Sequence, residues 1–267
     1  MNFKDKVIWI TGGSSGIGEH LAYALAEQGA KLILSSRNEK ELQRVKNNCH
    51  KNTEVLLIPL DVTDFDTIPA AVEKAVAYFN KIDILVNNAG ISQRSLIIET
   101  TLEVDQRIMT VNYFGAIAIT KAILPIFLQQ GSGQIVVISS VMGKIGVPYR
   151  SAYAASKHAL HGFFDSLRTE FGRQNIDVTI ILPGYVRTNV TVNALTGDGS
   201  PMNAMAAETE KGMDPTYFAN RAIRAIDRKK EEVMIGKREV YSVYVKRFWP
   251  AFFSYFTKRM DFKPEQR

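Results

Sequence analysis

The chain has 267 residues, 46% of them apolar and 22% charged, with a formal net charge of +6. That make-up excludes a collagen-like, coiled-coil or wholly disordered protein, and the length suits one large α/β domain as well as two small ones. The single cysteine, Cys49, excludes an intrachain disulfide, and with only four histidines (His20, His50, His158, His161) no Cys/His metal signature forms; carboxylate metal sites stay open.

The charge is unevenly placed. Residues 228–267 hold 11 Lys/Arg against 5 Asp/Glu, and the first 227 residues hold 22 of each sign. The basic excess therefore concerns the C-terminal end and not a nucleic-acid channel through the fold. Met1 to Lys6 is short and mixed in charge, and the apolar run 7–10 is too brief for a signal peptide. The charge-free stretch 122–143 contains Pro125, Gly131 and Gly133, so it reads as a helix end, a turn and a buried strand, not a membrane span.

Taken in chain order, apolar runs at 7–11, 32–35, 55–59, 84–87, 135–139, 178–182 and 233–235 predict strands buried on both faces. Between them, helical spacing predicts helices at 17–28, 39–48, 65–79, 102–129, 152–173 and 215–229. Such alternation demands an α/β fold: a doubly wound (Rossmann) parallel sheet of seven strands with helices on both faces. No repeat, low-complexity tract or linker interrupts it, so residues 1–267 are expected to form a single domain. Two segments stand outside the alternation: the loop 189–213, expected to act as a lid, and an appended amphipathic helix at 240–262.

The first strand runs into Thr11-Gly12-Gly13-Ser14-Ser15-Gly16-Ile17-Gly18 and then a helix. Glycines there let the backbone turn tightly and approach a pyrophosphate set against the free N–H groups of the helix. A plain strand-to-helix connection is the other reading, but a first βα turn is where dinucleotides sit. NAD enzymes place an acid at the end of the second strand to hold the ribose 2′-hydroxyl. Here Ser36 and Arg37 occupy that place, and a serine hydroxyl with a guanidinium suits a 2′-phosphate, favouring NADP(H). Asp61 and Val62 follow the third strand, and Asn88, Ala89 and Gly90 follow the fourth, at strand ends where ligands bind. Asp61 is a candidate for an adenine edge and 88–90 for its ribose; both are equally candidate turn formers.

Ser139-Ser140 ends the fifth strand, and Tyr153-Ala154-Ala155-Ser156-Lys157 opens the next helix. Positions i and i+4 share a helical face, so the phenol and the ammonium can point into one cleft. A cation there favours the phenolate and lowers a tyrosine pKa from its ordinary value near ~10.

With TGGSSGIG, NNAG, Asn112 in Val111-Asn112-Tyr113, the Ser140…Tyr153-x-x-x-Lys157 constellation and Pro183-Gly184-Tyr185-Val186-Arg187-Thr188, the chain resembles the short-chain dehydrogenase/reductase family over about 6–235. The resemblance implies that Tyr153 is the general acid/base and that Lys157 holds the nicotinamide ribose and lowers the tyrosine pKa. It implies that Ser140 orients the substrate oxygen and Asn112 holds a water in a proton relay to Lys157. Gly12, Ser14, Ser15, Gly16, Ile17 and Gly18 would cradle the pyrophosphate. Pro183, Gly184, Val186 and Thr188 would border the nicotinamide. It further implies a homodimer or homotetramer built by pairing the helices at 102–129 and 152–173.

Substrate contacts are expected from Ser92, Gln93, Ser140, Val141, Met142, Tyr153, Tyr185 and the loop 189–213. Val190, Val192, Ala194, Leu195, Met202, Met205 and Ala206 make that loop mainly apolar, favouring a lipophilic carbonyl compound. Lys144 and Arg150 flank the cleft in sequence, either as solvated cations or as attractors of an anionic head group. In the tail, Tyr241, Tyr244, Val245, Phe248, Trp249, Phe252, Phe256 and Met260 recur at helical spacing with Lys246, Arg247, Lys258 and Arg259 interleaved. Three readings stay open: packing onto the body or a sister subunit, lying on a membrane surface, or capping the cleft. Lipid- and steroid-active members of the family, among them acyl- and alkyl-dihydroxyacetone phosphate reductases, carry similar ends. The expectation is a cytoplasmic NADP(H)-dependent oxidoreductase acting on a ketone or secondary alcohol, with peripheral membrane contact through 240–262 left open. The alternative is a non-catalytic NADP-binding or membrane-docked regulatory protein on the same fold.

Overall fold

Strand β1 (Val7–Thr11) shows why the sheet needs cover on both sides: Val7 and Trp9 join one core layer, Ile8 and Ile10 the other. Successive strand residues face opposite ways, so an unbroken apolar run buries itself only between two layers. The computed structural model describes residues 1–259. In it β1, β2 (Lys31–Ser35), β3 (Val55–Leu57), β4 (Ile84–Asn87), β5 (Gly133–Ile138), β6 (Ile176–Pro183) and β7 (Glu232–Ile235) pair in the order β3-β2-β1-β4-β5-β6-β7. All six neighbouring pairs are parallel. The order reverses between β1 and β4, and the crevice beyond their C-terminal ends is where an open α/β sheet takes a ligand.

The helices are α1 (Gly16–Ala26), α2 (Glu39–Asn48), α3 (Ile68–Phe79), α4 (Leu102–Met109), α5 (Gly115–Gln130), α6 (Ser151–Phe171), α7 (Ala207–Glu210), α8 (Pro215–Asp227), α9 (Tyr241–Phe248) and α10 (Pro250–Thr257). Leu21 and Leu25 of α1, Leu42 and Val45 of α2, and Phe218 and Ile223 of α8 fill one layer. Val72 of α3, Ile119, Ile123 and Phe127 of α5, and Leu160 and Phe164 of α6 fill the other. Capping fixes where several begin and end. Asn38 accepts from Glu41 N–H at 3.2 Å, Asp214 accepts from Thr216 and Tyr217 N–H, and Gly131 closes α5 at φ 70°.

The expected single helix at 102–129 is interrupted by a π turn at Thr110–Phe114, an extra residue per turn that centres on Asn112. Leu102–Gln130 is long and apolar enough to cross a bilayer by length and composition, but Ile119, Ile123 and Phe127 on it are fully buried against the sheet. The stretch 122–143 is a helix end, a left-handed glycine and a strand, as read from its residues. The appended helix is two helices: Pro250 cannot donate a ladder bond, and the break falls at Trp249. Its expected last positions, 260–262 with Met260, lie outside the described residues.

Candidate active site

The turn after β1 is held from beneath by the end of β4. Asn88 Nδ2 donates to the carbonyls of Thr11 (2.9 Å) and Gly12 (3.1 Å), while Thr11 Oγ1 accepts from the N–H groups of Asn88 and Ala89. The Asn88 side chain is thus a strut under the glycine turn. Gly12 sits at φ +63° and Gly16 at φ +57°, left-handed positions that favour glycine, and a Cβ on Gly18 would run into the Gly12 carbonyl. Ser15 precedes α1 without a side-chain capping bond, so the first N–H groups of that helix stay available to an anion. Ser14 offers its carbonyl to Arg44 at 3.3 Å, and Ile17 packs on the core.

At the end of β2, Ser36 Oγ accepts from Asn38 N–H at 3.2 Å. The Arg37 side chain is 68% exposed, and its guanidinium lies 3.9 Å from Asp61 Oδ2. Burial pushes the Asp61 carboxyl up, but two hydrogen bonds from Thr63 and the Arg37 charge bring it below the ordinary range. Val62 beside it is buried against Gly115, where a Cβ would come within 2.8 Å of the valine.

Across the switch point, three residues of α6 at four-residue intervals meet the end of β5. Lys157 Nζ donates to the Ile138 carbonyl at 2.9 Å, His161 Nε2 lies 3.0 Å from Ser139 Oγ, and Ser140 is near enough to Tyr153 to lower its phenol pKa. Ser140 Oγ also accepts from Met142 N–H at 3.1 Å, which shapes the turn Val141–Gly143. Lys157 is buried and has no carboxylate partner among the described residues, and burial brings its ammonium down to about 8. The expected lowering of the tyrosine pKa by Lys157 is not what this arrangement produces. Burial pushes the Tyr153 phenol above its usual value, and the opposing influences come from Ser140 and Arg150. The ammonium stands 5.7 Å from the ring centre and gives one of its three N–H bonds to the Ile138 carbonyl.

Asn112, centred in the π turn, uses its whole amide: Oδ1 accepts from Ile91 N–H (2.8 Å), and Nδ2 donates to the Ile91 carbonyl (2.9 Å) and Ser156 Oγ (3.0 Å). Its side chain therefore joins α6 to the β4 loop. A Cβ on Gly90 would stand 3.1 Å from Asn112 Oδ1 and 3.6 Å from Lys157 Nζ, so these three residues converge.

The end of β6 lies opposite. Pro183 closes the strand, and a Cβ on Gly184 would run into the Glu239 carboxylate, which also accepts from Tyr185 N–H. Val186 bridges to Met213, and Thr188 lies against Gly16, joining β6 to the glycine turn. Burial and the nearby Glu208 push the Tyr185 phenol above its usual value.

The segment that a family model describes as short chain dehydrogenase covers residues 6–198. The chain belongs to the short-chain dehydrogenase/reductase family. It is 41% identical over 260 residues to the zebrafish (Danio rerio) dehydrogenase/reductase SDR family member 7B, covering 94% of this chain and 84% of that one. It is 40% identical over 266 residues to the Drosophila melanogaster dehydrogenase/reductase SDR family protein 7-like, covering 97% and 82%. Among solved structures, an alcohol dehydrogenase from the archaeon Thermococcus sibiricus complexed with 5-hydroxy-NADP superposes with a TM-score of 0.75 at 27% identity, covering 88% of this chain and 97% of that one. A seven-stranded parallel sheet with this strand order is the short-chain dehydrogenase/reductase fold.

In this short-chain dehydrogenase/reductase the loop 189–213 is tied down over the β4 side. Leu195 exchanges backbone hydrogen bonds with Ser92 and Arg94, and Thr101 N–H donates to the Gly197 carbonyl. Ala194, Leu195 and Ala206 are buried beneath it, and α7 forms within it, which four residues of mixed character did not announce. Ser92 and Gln93, candidates for substrate contact, are buried: Gln93 Nε2 is bonded to Ser95 and Thr100. Lys144 pairs with Glu232 at 2.7 Å.

Arg150 is the residue whose part the sequence concealed. It is 8% exposed, and its Nη1 donates to Ser92 Oγ (2.6 Å) and the Gln93 carbonyl (3.0 Å), neutral acceptors both. Arg94 and the carboxylate of Glu208 in the loop 189–213, 3.7 Å apart, bear on it electrostatically, as does Tyr153. Beyond β7, Val240 and Val243 pack against Val141, Met142 and Ala154, as Tyr153 does, and Lys246 Nζ donates to the Lys144 carbonyl. The tail's aromatic stripe does not pack on the body: Tyr241, Phe248, Trp249, Phe252 and Phe256 are each 57–66% exposed.

Proposed function

We propose that this chain is an NADP(H)-dependent oxidoreductase that moves hydride between the nicotinamide and a ketone or secondary alcohol of lipophilic character. The observation that carries the reading is the Tyr153 phenol on α6 beside Ser140, with Lys157 one turn on and Gly90 and Asn112 converging on that lysine.

The residues present fit a dinucleotide. Gly12, Ser14, Ser15, Gly16, Ile17 and Gly18 form a turn with left-handed glycines and an uncapped helix start, suited to a pyrophosphate. Asp61, Val62, Asn88, Ala89 and Gly90 border the adenosine end, Asn88 by holding the turn in shape. Pro183, Gly184, Val186 and Thr188 border the nicotinamide end, and Lys157 would hold its ribose. The absence of an acid at Ser36, with Arg37 exposed beside it, supports NADP(H) over NAD(H). A bound reduced dinucleotide supplies a hydride, two electrons at once.

The chain's own groups do the rest. Tyr153 gives its phenolic proton to the carbonyl oxygen as the carbon is reduced, and takes one back in the reverse direction. Burial keeps the phenol protonated at neutral pH, the form a ketone reductase needs. Ser140 steadies the substrate oxygen and the phenol together. The lid 189–213, with Met142 and Tyr185 facing the cleft, excludes water with mainly apolar residues, which supports a lipophilic substrate.

The exposed rings of α9 and α10 with Lys246, Arg247, Lys258 and Arg259 support peripheral membrane contact, rings at the acyl boundary and cations near lipid phosphates. The stretch 102–130 carries exposed Leu102, Phe114 and Leu128, which supports a homodimer or homotetramer through that face. NADPH consumption measured over steroids, lipid ketones and small carbonyls tests the central reading. Turnover of an apolar ketone is the expected result. Tight NADPH binding with no turnover of any carbonyl is the result of a regulatory protein on the same fold.

A further inference from the structure

Behind the catalytic face, His161 is enclosed by groups that none of the steps above uses. Its Nε2 stands 3.0 Å from Ser139 Oγ, and its Nδ1 stands 3.4 Å from Glu232 Oε2 on the edge strand β7. Glu232 is held in turn by Lys144 at 2.7 Å. The turn that follows Ser140 wraps the imidazole closely: a Cβ on Gly143 would come within 2.7 Å of both His161 Nε2 and Ser139 Oγ. Ser139 and the imidazole are buried, whereas the Glu232 side chain is 39% exposed at the rim.

The geometry is one of register. Three consecutive residues of the β5 end each meet one face of α6: Ile138 is bonded to Lys157, Ser139 to His161, and Ser140 lies beside Tyr153. The α6 partners follow at four-residue intervals, one stripe of the helix. Two of those ties involve groups that the reaction itself must move or recruit. The tie through His161 touches no reacting atom, so it can hold the strand end still while the others change. Glu232 Oε2, at 3.4 Å, faces the ring as a charge without hydrogen-bonding Nδ1, which has no hydrogen-bond partner among the described residues.

We propose that His161 is a positioning residue for the oxidoreductase reaction: with Glu232 behind it, it fixes Ser139, and through Ser139 the placement of Ser140 against Tyr153. The inference rests on the reading of Ser140 and Tyr153 given above. A nearby hydroxyl held by an oriented imidazole needs both partners, so loss of either member has the same consequence as loss of both. Displacement of a catalytic group by a fraction of an ångström to 1 Å costs up to about 100-fold.

The experiment measures kcat, KM for the ketone best turned over by the wild type, and the NADPH dissociation constant in the full chain. Expected for His161→Ala is a roughly 10–100-fold fall in kcat with the NADPH constant unchanged. Ser139→Ala falls similarly, the double variant falls no further, and His161→Gln, which keeps an amide in reach of Ser139, recovers most of the rate. Glu232→Gln, at the rim and tolerant of folding, loses several-fold. Wild-type kcat in His161→Ala or in Glu232→Gln overturns the proposal. Multiplied losses in the double variant overturn it too, as does a loss of NADPH affinity and melting temperature in step with kcat. A wild type that binds NADPH and reduces no ketone overturns the reading of the reaction, and the positioning role with it.

Discussion

Lys157 and Tyr153 share one face of α6, yet the ammonium donates to the Ile138 carbonyl at 2.9 Å and stands 5.7 Å from the centre of the phenol ring. The cation therefore braces the strand end. In the absence of an acid beside it, burial alone governs its titration.

That burial has a measurable consequence. With the ammonium lowered to about 8 from 10.5, the folded chain holds fewer protons than the unfolded chain between those values, and stability rises with pH across that window. Below it both states carry the charge and the penalty is constant. Lys157→Met is expected to remove this part of the slope, the relief of the buried charge at pH 7 being offset by the Ile138 carbonyl left without its donor, while losing activity. Urea unfolding at pH 7 and pH 10 checks it; an unchanged slope in the variant counts against a buried ammonium.

The pH profile follows from the phenol. Burial holds Tyr153 protonated beyond the ordinary tyrosine range, so the tyrosine limb of ketone reduction falls only at strongly alkaline pH. Alcohol oxidation, which needs the phenolate, climbs over the same range. Ser140→Ala removes an influence that lowers the phenol pKa, and both limbs are expected to move to higher pH. Profiles of kcat/KM in the two directions test this, and a shift to lower pH contradicts it.

Much of this was legible before any coordinates. The glycine turn and the Tyr153–Lys157 pair announce themselves because their geometry is local: a strand running into a helix, and two residues one helical turn apart. The alternation of apolar runs likewise announced all seven strands, within a few residues at their ends. What stayed hidden depends on distant segments meeting. Asn88 bonds backward to β1, Asn112 bridges the β4 loop and α6 from within a π turn, and Arg150 reaches 57 and 58 residues back to Gln93 and Ser92. The tyrosine pKa went the other way for the same reason, since burial has no signature in residue spacing. The tail's rings were readable as a stripe, but only the structure shows them uncovered.

Arg150 makes a sharp test of those long-range ties. Arg150→Met leaves Ser92 Oγ and the Gln93 carbonyl without their donor, at about 1–3 kcal/mol for each acceptor left unpaired. A lower melting temperature is expected, together with a tyrosine limb moved to higher pH because a favourable charge is gone. A melting temperature equal to wild type shows the buried guanidinium to be dispensable.

Cofactor choice is expected to turn on two adjacent residues. Ser36→Asp with Arg37→Ile places an acid where the 2′-phosphate would lie and removes the exposed cation. Loss of one charged hydrogen bond, about 1.5–3 kcal/mol, corresponds to roughly 10–100-fold. The ratio of kcat/KM for NADPH over NADH should fall by that factor. A ratio that does not move places the discrimination elsewhere.

The most direct test is a single-turnover measurement of NADPH oxidation by a saturating ketone in the wild type and in Tyr153→Phe, with dinucleotide binding measured in parallel. Removal of the phenolic proton should slow the step by at least about 100-fold, the lower end of what a general acid contributes, and leave NADPH affinity unchanged. An unaltered rate in Tyr153→Phe contradicts the account at its centre.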